Sequence, residues 1–144
     1  MASRKPRSSW KEKLDTAKGL PKTMVIPAPR EVDALMRAVP RGKVVTVAGL
    51  GEALARKHGT MIACPMTTGI FAWIAAHAAE EERAAGGKDV TPYWRTLKTG
   101  GVLNAKYPGG IAGQRRRLEA EGHRVARRGS ATVVVDHERS LATL

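Results

Sequence analysis

The stretch from Thr91 to Arg95 (Thr-Pro-Tyr-Trp-Arg) holds the residue types best suited to bind a flat ligand. Tyr93 and Trp94, two of the six aromatic residues of the chain, are adjacent there, and Arg95 follows them. Aromatic rings beside a cation are what stacking on an extruded nucleobase requires. The same rings would also serve as a hydrophobic plug under a loop. Both interpretations stay open at the level of this stretch alone.

Other reactive groups are few. Cys64 is the only cysteine, so it forms no disulfide within the chain, and its apolar neighbours Ile62, Ala63 and Met66 favour a buried, unreactive thiol. We expect no metal site, because no two of the four histidines have the i, i+3 or i, i+4 spacing of a ligand pair. No glycine-rich phosphate loop is present, and no cofactor is expected. The histidines are His58, His77, His123 and His137.

The charge of the chain is strongly positive. Its 144 residues include 25 lysines and arginines against 13 aspartates and glutamates, a formal net charge of +12. Such an excess predicts a polyanionic partner, with phosphates contacted from several elements at once, although it could also serve solubility alone. The basic clusters are Arg4-Lys5-Arg7, Arg115-Arg116-Arg117 and Arg124 with Arg127-Arg128.

Nothing in the sequence predicts a membrane partner. The longest nearly uncharged run, residues 59–79, is broken by threonines, glycine and a histidine, and no signal peptide is recognisable. The first twenty residues offer only Trp10, Leu14 and Leu20 as apolar anchors. The single cysteine is compatible with a reducing compartment, and we expect a cytoplasmic protein.

The elements that must position these residues are mostly helices. A basic arm and a helix capped by Ser9 and Glu12 are predicted before Pro21, and Pro27 and Pro29 are expected to interrupt regular structure. Apolar spacing and capping residues then predict four helices and a hairpin. The helices are Arg30–Val39, Val47–His58 after the N-cap Thr46 and before Gly59, Gly69–Arg83, and Ile111–Glu121; the hairpin pairs Arg124–Ala126 with Thr132–Val135.

The second and third helices follow each other closely. Their short connection predicts a helix-turn-helix, in which the hydroxyls of Thr67 and Thr68 cap the third helix and meet phosphate. Two simply packed helices would give the same pattern. The third helix is expected to bury the face that carries Ile70, Phe71, Ile74 and Ala78. The predicted fold is mainly α with a small β hairpin (α+β), a single winged helix-turn-helix-like domain.

Five short motifs occur in one order along the chain. They are Val39-Pro-Arg-Gly-Lys-Val-Val-Thr46, the helix pair, Pro92-Tyr-Trp-Arg95, Tyr107-Pro-Gly-Gly110 and Leu118-Glu-Ala-Glu-Gly122. In this order the chain resembles the DNA-binding domain of the methylguanine-DNA methyltransferases, and most of all their alkyltransferase-like relatives, which lack the acceptor cysteine. The resemblance covers residues 31–122. It leaves a basic extension at 1–30 and a hairpin extension at 123–144.

The resemblance places Tyr93 at the acceptor-cysteine position, Trp94 at the histidine position and Glu121 at the glutamate position. A phenol, with a pKa of ~10, is a poor substitute for an activated thiolate, so alkyl transfer by the family mechanism is not expected. Without its histidine, Glu121 is expected to serve only the end of its helix. The resemblance also indicates three further changes. Val47 replaces the family's aromatic residue that presses on the phosphate beside the flipped nucleotide, and Pro108 replaces a loop serine. The position of the arginine that fills the vacated base stack falls near Gly69.

The resemblance implies a non-enzymatic protein that binds double-stranded DNA, holds an extruded O6-alkylguanine and marks it for a downstream repair protein. One alternative is a winged-helix module for nucleic acid or protein without a lesion pocket. Another is an alkyl-acceptor enzyme that uses Cys64. The implied lesion pocket comprises Tyr93, Trp94, Arg95, Tyr107, Pro108 and Gly109. The implied DNA contacts are Thr46, Thr67, Thr68, Gly69, Arg95, Lys106 and Arg115.

Overall fold

The architecture was analysed on a computed structural model that describes Trp10 and residues 23–144. The predicted basic arm and the cap formed by Ser9 and Glu12 lie outside the described residues. The helices are α1 (Pro29–Arg37), α2 (Val47–His58), α3 (Pro65–Ala84) and α4 (Gly110–Ala120). The strands are β1 (Met24–Val25), β2 (Val45–Thr46), β3 (Ile62–Ala63), β4 (Thr96–Leu97), β5 (Val125–Arg128) and β6 (Ala131–Val134). β1 pairs in parallel with β3, β2 in parallel with β4, and β5 antiparallel with β6.

The first two helices form largely as predicted. The apolar face of α1 buries Val32 and Met36 completely. Pro29 does not interrupt structure there but occupies the first turn of α1, where its missing N–H costs nothing. Thr46 is confirmed as the N-cap of α2, since its Oγ1 accepts a hydrogen bond from the Gly49 N–H at 3.0 Å. Gly59, with φ of 66°, ends the same helix.

Helix α3 differs from its prediction in both start and orientation. It begins at Pro65 rather than Gly69, so Thr67 and Thr68 lie inside its first turn and do not cap it. The expected buried face is wrong for Ile70, Ile74 and Ala78, which are exposed, whereas Phe71 packs against the core. Small side chains form the inner face and allow α3 to approach α1 and α2 closely. The buried residues of α3 are Thr68, Ala72, Ala75, Ala76 and Ala79.

A second hydrophobic cluster joins α4 to the C-terminal hairpin. Leu118 of α4 packs with Val134 of β6, and the other buried members of the cluster are Val44, Leu97 and Leu103. The predicted helix and hairpin are confirmed to within a few residues, and Gly129 takes the left-handed conformation in the turn between the strands. The α+β class is thereby confirmed. Among the described residues, no helix has the length and apolar character to cross a membrane.

Candidate nucleic-acid interface

A groove of about 650 Å³ runs along the exposed N-terminal half of α3. One wall is α3 itself, with Met66, Ile70 and Trp73, and the other is the segment that carries Lys98 and Lys106. Val47, Gly69 and Asn104 also line this cavity, which we call the α3 groove. Its volume lies in the usual range of ligand pockets, about 300–1,000 Å³. The arrangement combines apolar walls with two exposed cations.

The two walls of the α3 groove are tied together by hydrogen bonds. The indole Nε1–H of Trp73 donates to the Lys106 carbonyl oxygen at 3.0 Å, and Nε2 of His77 lies 3.0 Å from the same oxygen. The two rings meet edge to face, with centroids 5.4 Å apart. A carbonyl oxygen has two lone pairs and accepts both bonds when His77 carries its proton on Nε2. The position of Lys106 is therefore set by α3.

The predicted aromatic residues form a compact cluster beside this site. Tyr93 is 2% exposed and Tyr107 3%, and their rings meet edge to face at 5.8 Å. Trp94 packs on Tyr93 at 5.4 Å, and the guanidinium of Arg117 lies 4.5 Å above the Trp94 ring. Burial raises the pKa of the Tyr93 phenol and, more strongly, that of the Tyr107 phenol. At neutral pH both hydroxyls therefore stay protonated, which makes them weak nucleophiles.

Arg95 is held inside the fold by Glu121. Its Nη2 lies 2.6 Å and its Nε 2.9 Å from Glu121 Oε1, and its Nη1 donates to the Val39 carbonyl at 2.7 Å. The indole N–H of Trp94 donates to the same carboxylate at 3.1 Å. The expectation that Glu121 serves only its helix end is wrong: this carboxylate binds two neighbouring side chains of the predicted site. Arg95 is thereby committed to an internal ion pair and is not free to contact phosphate.

Gln114 completes the support of this region. Its fully buried Oε1 accepts the Asn104 N–H at 2.8 Å, and its Nε2 donates to the Trp94 carbonyl at 3.1 Å. One amide thus joins α4, the aromatic cluster and the groove wall. Sequence reasoning missed this residue, although a glutamine one helical turn before the buried Leu118 marks a polar group on an inward face.

The other residues predicted to contact DNA have different roles in the structure. Thr46 uses its hydroxyl as a helix cap, and the Thr67 hydroxyl donates to the Cys64 sulfur at 3.1 Å. Thr68 is 1% exposed and donates to the Cys64 carbonyl, so its predicted contact with phosphate is wrong in this fold. Arg115 is exposed and forms an ion pair with Glu119 at 2.8 Å. Only Gly69 and Lys106 of the predicted DNA contacts line the α3 groove.

The glycine turn before α4 is the other predicted pocket element. Pro108 is half-buried, and Gly109 and Gly110 adopt φ of 83° and 64°, conformations that favour glycine. None of the six residues of the predicted lesion pocket lines the α3 groove. Tyr93, Trp94, Arg95 and Tyr107 pack together beside the groove, and the open space lies next to the Asn104–Lys106 segment.

Cys64 is the N-cap of α3. The Thr67 hydroxyl donates to its sulfur and lowers the pKa of the thiol. Cys64 does not line the α3 groove, although the next two residues do. In the described part of the chain, no group of three histidine, cysteine, aspartate or glutamate side chains is placed to hold a metal ion.

His123 leads to a prediction for the pH dependence of stability. It is buried beside the Glu121–Arg95 pair, and burial lowers its pKa below the ordinary 6.5. In the unfolded chain His123 takes up a proton at a higher pH, so its contribution to stability is present above 6.5 and is lost as pH falls toward the lower folded value. The free energy of unfolding of the wild-type protein should therefore fall from pH 7.5 to pH 5 more steeply than that of His123→Leu.

Urea denaturation of both proteins at several pH values measures this difference. The leucine replaces an imidazole whose Nε2 is buried and has no hydrogen-bond partner among the described residues, so the variant should fold. Parallel pH profiles for the two proteins would show that His123 does not titrate differently on folding.

Comparison with known proteins finds similar structures but no similar sequence family. No protein-family model matches the chain, and no curated protein matches it in sequence. The similar solved structures include two crystal structures that match over 81% of this chain and 94% of theirs. The first is S. pombe Atl1 in complex with damaged DNA containing O6-carboxymethylguanine (TM-score 0.55, 19% identity). The second is the S. pombe alkyltransferase-like protein in complex with DNA (TM-score 0.58, 20% identity).

The chain therefore has the fold of the alkyltransferase-like proteins, and the likeness drawn from the sequence motifs is confirmed at the level of the fold. The structural likeness covers a larger share of the chain than residues 31–122, on which the motif resemblance was based.

Proposed function

We propose that this protein is a non-enzymatic DNA-binding protein that recognises an alkylated guanine in duplex DNA. The observation that carries the proposal is the α3 groove, an apolar cavity of about 650 Å³ with Lys98 and Lys106 at one wall. It lies on a fold shared with S. pombe Atl1, which was crystallised with DNA containing O6-carboxymethylguanine.

Charge supports DNA as the partner. The chain carries a net charge of +12, and Lys98 and Lys106 are exposed where they can contact phosphates on either side of an extruded nucleotide. Further exposed arginines on α4 and the hairpin extend the positive surface. In the triplet 115–117, only Arg117 packs on the Trp94 ring. Arg116 is exposed and can face a polyanion, whereas Arg115 is already paired with Glu119.

The α3 groove is the proposed place of the extruded base. Tyr93 and Tyr107 are buried, so we assign them to the support of the groove wall and not to direct stacking. The Tyr107 N–H donates to the Asn104 carbonyl at 3.2 Å, which connects the aromatic cluster to that wall. An alkyl group on the base favours this cavity, because its walls of methionine, isoleucine and tryptophan gain from apolar contact.

The chemistry of the site supports binding without alkyl transfer. The position of the family's acceptor is occupied by the buried, protonated phenol of Tyr93, and the Cys64 thiol lies outside the groove lining. Binding without reaction would leave the lesion in place and mark it for a downstream repair protein.

The proposal is tested by binding to two duplexes that differ only at one base, O6-methylguanine or guanine. Extrusion costs a few kcal/mol and costs least at a damaged pair. The groove then adds apolar contact with the alkyl group. Lesion DNA should bind about tenfold more tightly, which corresponds to about 1.4 kcal/mol. Equal affinity for both would favour a nucleic-acid-binding module without a lesion pocket.

A further inference from the structure

The wall of the α3 groove that carries Lys98 and Lys106, which we call the cationic wall, begins in a tight turn. Lys98 follows β4, and the short turn after it contains Gly100 and Gly101, which adopt φ of 82° and 79°. The Lys98 N–H donates to the Val102 carbonyl at 2.8 Å, and the Gly101 N–H donates to the Lys98 carbonyl at 3.1 Å. These bonds fix the shape of the turn, but its place beside α3 depends on what packs behind it.

The C-terminal hairpin supports the residues that follow this turn. Val102 forms an antiparallel bridge with Val133 of β6, and the Leu103 N–H donates to the Thr132 carbonyl at 2.9 Å. Both Leu103 and Val133 are buried, so water does not compete for these contacts. The cationic wall therefore runs beside β6 and is held by it.

His137 supports the turn itself. A Cβ atom at Gly101 would lie 2.6 Å from His137 Nδ1 and 2.7 Å from its Cγ, so the imidazole rests directly on the Gly101 backbone. The His137 side chain is 13% exposed, which shows that the contact is shielded from water. The site requires glycine twice over, because the positive φ disfavours other residues and a methyl group does not fit unless the ring moves.

The backbone around His137 fixes the position of its ring. Asp136 adopts φ of 54°, a left-handed conformation that is uncommon for residues other than glycine, and its carbonyl accepts the Arg139 N–H at 3.0 Å. The Ser140 carbonyl then accepts the N–H of Val44, a fully buried residue, at 2.8 Å. The ring is thus held against the cationic wall by a segment that is anchored in the core.

We propose that His137 is a positioning residue for DNA binding: through Gly101 it holds Lys98 at the place where this lysine meets a phosphate. The inference rests on the proposed function and gives a role in it to residues 123–144, which the motif resemblance leaves out. The attraction between an ammonium group and a phosphate falls with distance. A wall displaced by the width of a methyl group weakens that attraction, so His137 affects affinity although it does not line the groove.

The test is the salt dependence of binding of the full-length protein to the duplex with O6-methylguanine. Gly101→Ala places a methyl group against the imidazole and should displace the turn. The magnitude of the slope of log K against log salt should fall by about 1, the contribution of one phosphate contact. The affinity at about 0.1 M salt should fall by about tenfold. His137→Ala removes the support without adding a group, and its slope should fall in the same direction.

The double variant Gly101→Ala/His137→Ala separates positioning from damage to the fold. Without the imidazole, the nearest remaining atom is the Cβ at position 137, 3.2 Å from the added methyl group, and a shift of a few tenths of an ångström relieves this contact. The double variant should therefore regain most of the slope and affinity that each single variant loses. Independent effects of the two substitutions would add instead.

Gly100→Ala is the matched control. The φ of Gly100 strains an alanine as much as that of Gly101 does, but a Cβ atom there meets only Val102, at 4.0 Å. Gly100→Ala should therefore keep the wild-type slope and affinity. Urea unfolding of every variant measures what the backbone strain alone costs in stability.

The outcomes separate the positioning role from the proposed function. If the wild-type protein prefers the lesion duplex but Gly101→Ala keeps the wild-type slope, the positioning role is wrong and the proposed function stands. The role is also wrong if Gly100→Ala is as defective as Gly101→Ala, or if the double variant is no better than Gly101→Ala. If Gly101→Ala does not fold, a wild-type slope in His137→Ala overturns the role. If the wild-type protein binds neither the lesion duplex nor plain DNA, the role fails together with the proposed function.

Discussion

Replacing Glu121 with alanine should lower the free energy of unfolding by about 3–5 kcal/mol, the largest effect we expect from a single substitution near the site. The side chains of Arg95 and Glu121 are 13% and 5% exposed, so the pair is shielded from water. Without the carboxylate, the Val39 carbonyl is the one hydrogen-bond acceptor left to the guanidinium in the described structure, and the Trp94 indole N–H loses its acceptor. A buried cation without its partner is far more costly than the pair is favourable.

Glu119 provides a matched control two residues earlier in the chain. It pairs with Arg115 at 2.8 Å across one turn of α4, but both side chains are nearly half exposed. Exposed pairs of this kind contribute about 0.3–0.5 kcal/mol, so Glu119→Ala should be almost neutral. Urea unfolding of both variants measures the difference. Equal midpoints for the two would contradict the structural importance of the Arg95–Glu121 pair.

The second large effect we expect is in the salt dependence of DNA binding. Each phosphate neutralised contributes about −0.9 to the slope of log K against log salt, and a protein with about six such contacts loses about 10³ in affinity between 50 and 200 mM salt. Lys98 and Lys106 lie on the cationic wall of the α3 groove. The double variant Lys98→Ala/Lys106→Ala should therefore reduce the magnitude of the slope by about 2.

Lys88 is the control for this experiment. It is equally a surface lysine, but it follows the C-terminal end of α3, whereas the groove lies along the other half of that helix. Lys88→Ala should leave the slope unchanged. An unchanged slope in the double variant would remove the two lysines from the DNA contacts, and a wild-type affinity insensitive to salt would contradict the polyanion interpretation.

The sequence predicted those parts of the fold that depend on local pattern. The spacing of Val32 and Met36, the cap at Thr46 and the left-handed Gly59 are determined by neighbours within one or two turns, and each was found where expected. The sequence predicts the wrong face of α3 because large apolar side chains are ordinarily more favourable to bury than alanines. Close packing against two other helices selects the alanines as the inner face and leaves the isoleucines outside.

The candidate site was predicted less well, and the reason is physical. Tyr93, Trp94 and Glu121 were recognised by motif, but whether a ring faces a cavity or the core depends on contacts across the fold. The groove walls come from segments far apart in the chain, and no local pattern joins Met66 to Lys106. The bond from Trp94 to Glu121 likewise spans 27 residues.

The central claim is that the α3 groove selects an alkylated base, and fluorescence anisotropy with two matched duplexes tests it most directly. One duplex carries a single O6-methylguanine and the other guanine, at one stated salt concentration. Beside the wild-type protein, we use Gly69→Phe to fill the groove, because Gly69 lines it and a Cβ atom at this position meets only Val47, at 4.0 Å.

We predict a preference of about tenfold or more for the lesion duplex in the wild-type protein, and its loss in Gly69→Phe with binding to plain DNA retained. Equal binding of both duplexes by the wild-type protein, or a preference that survives in Gly69→Phe, would contradict the claim.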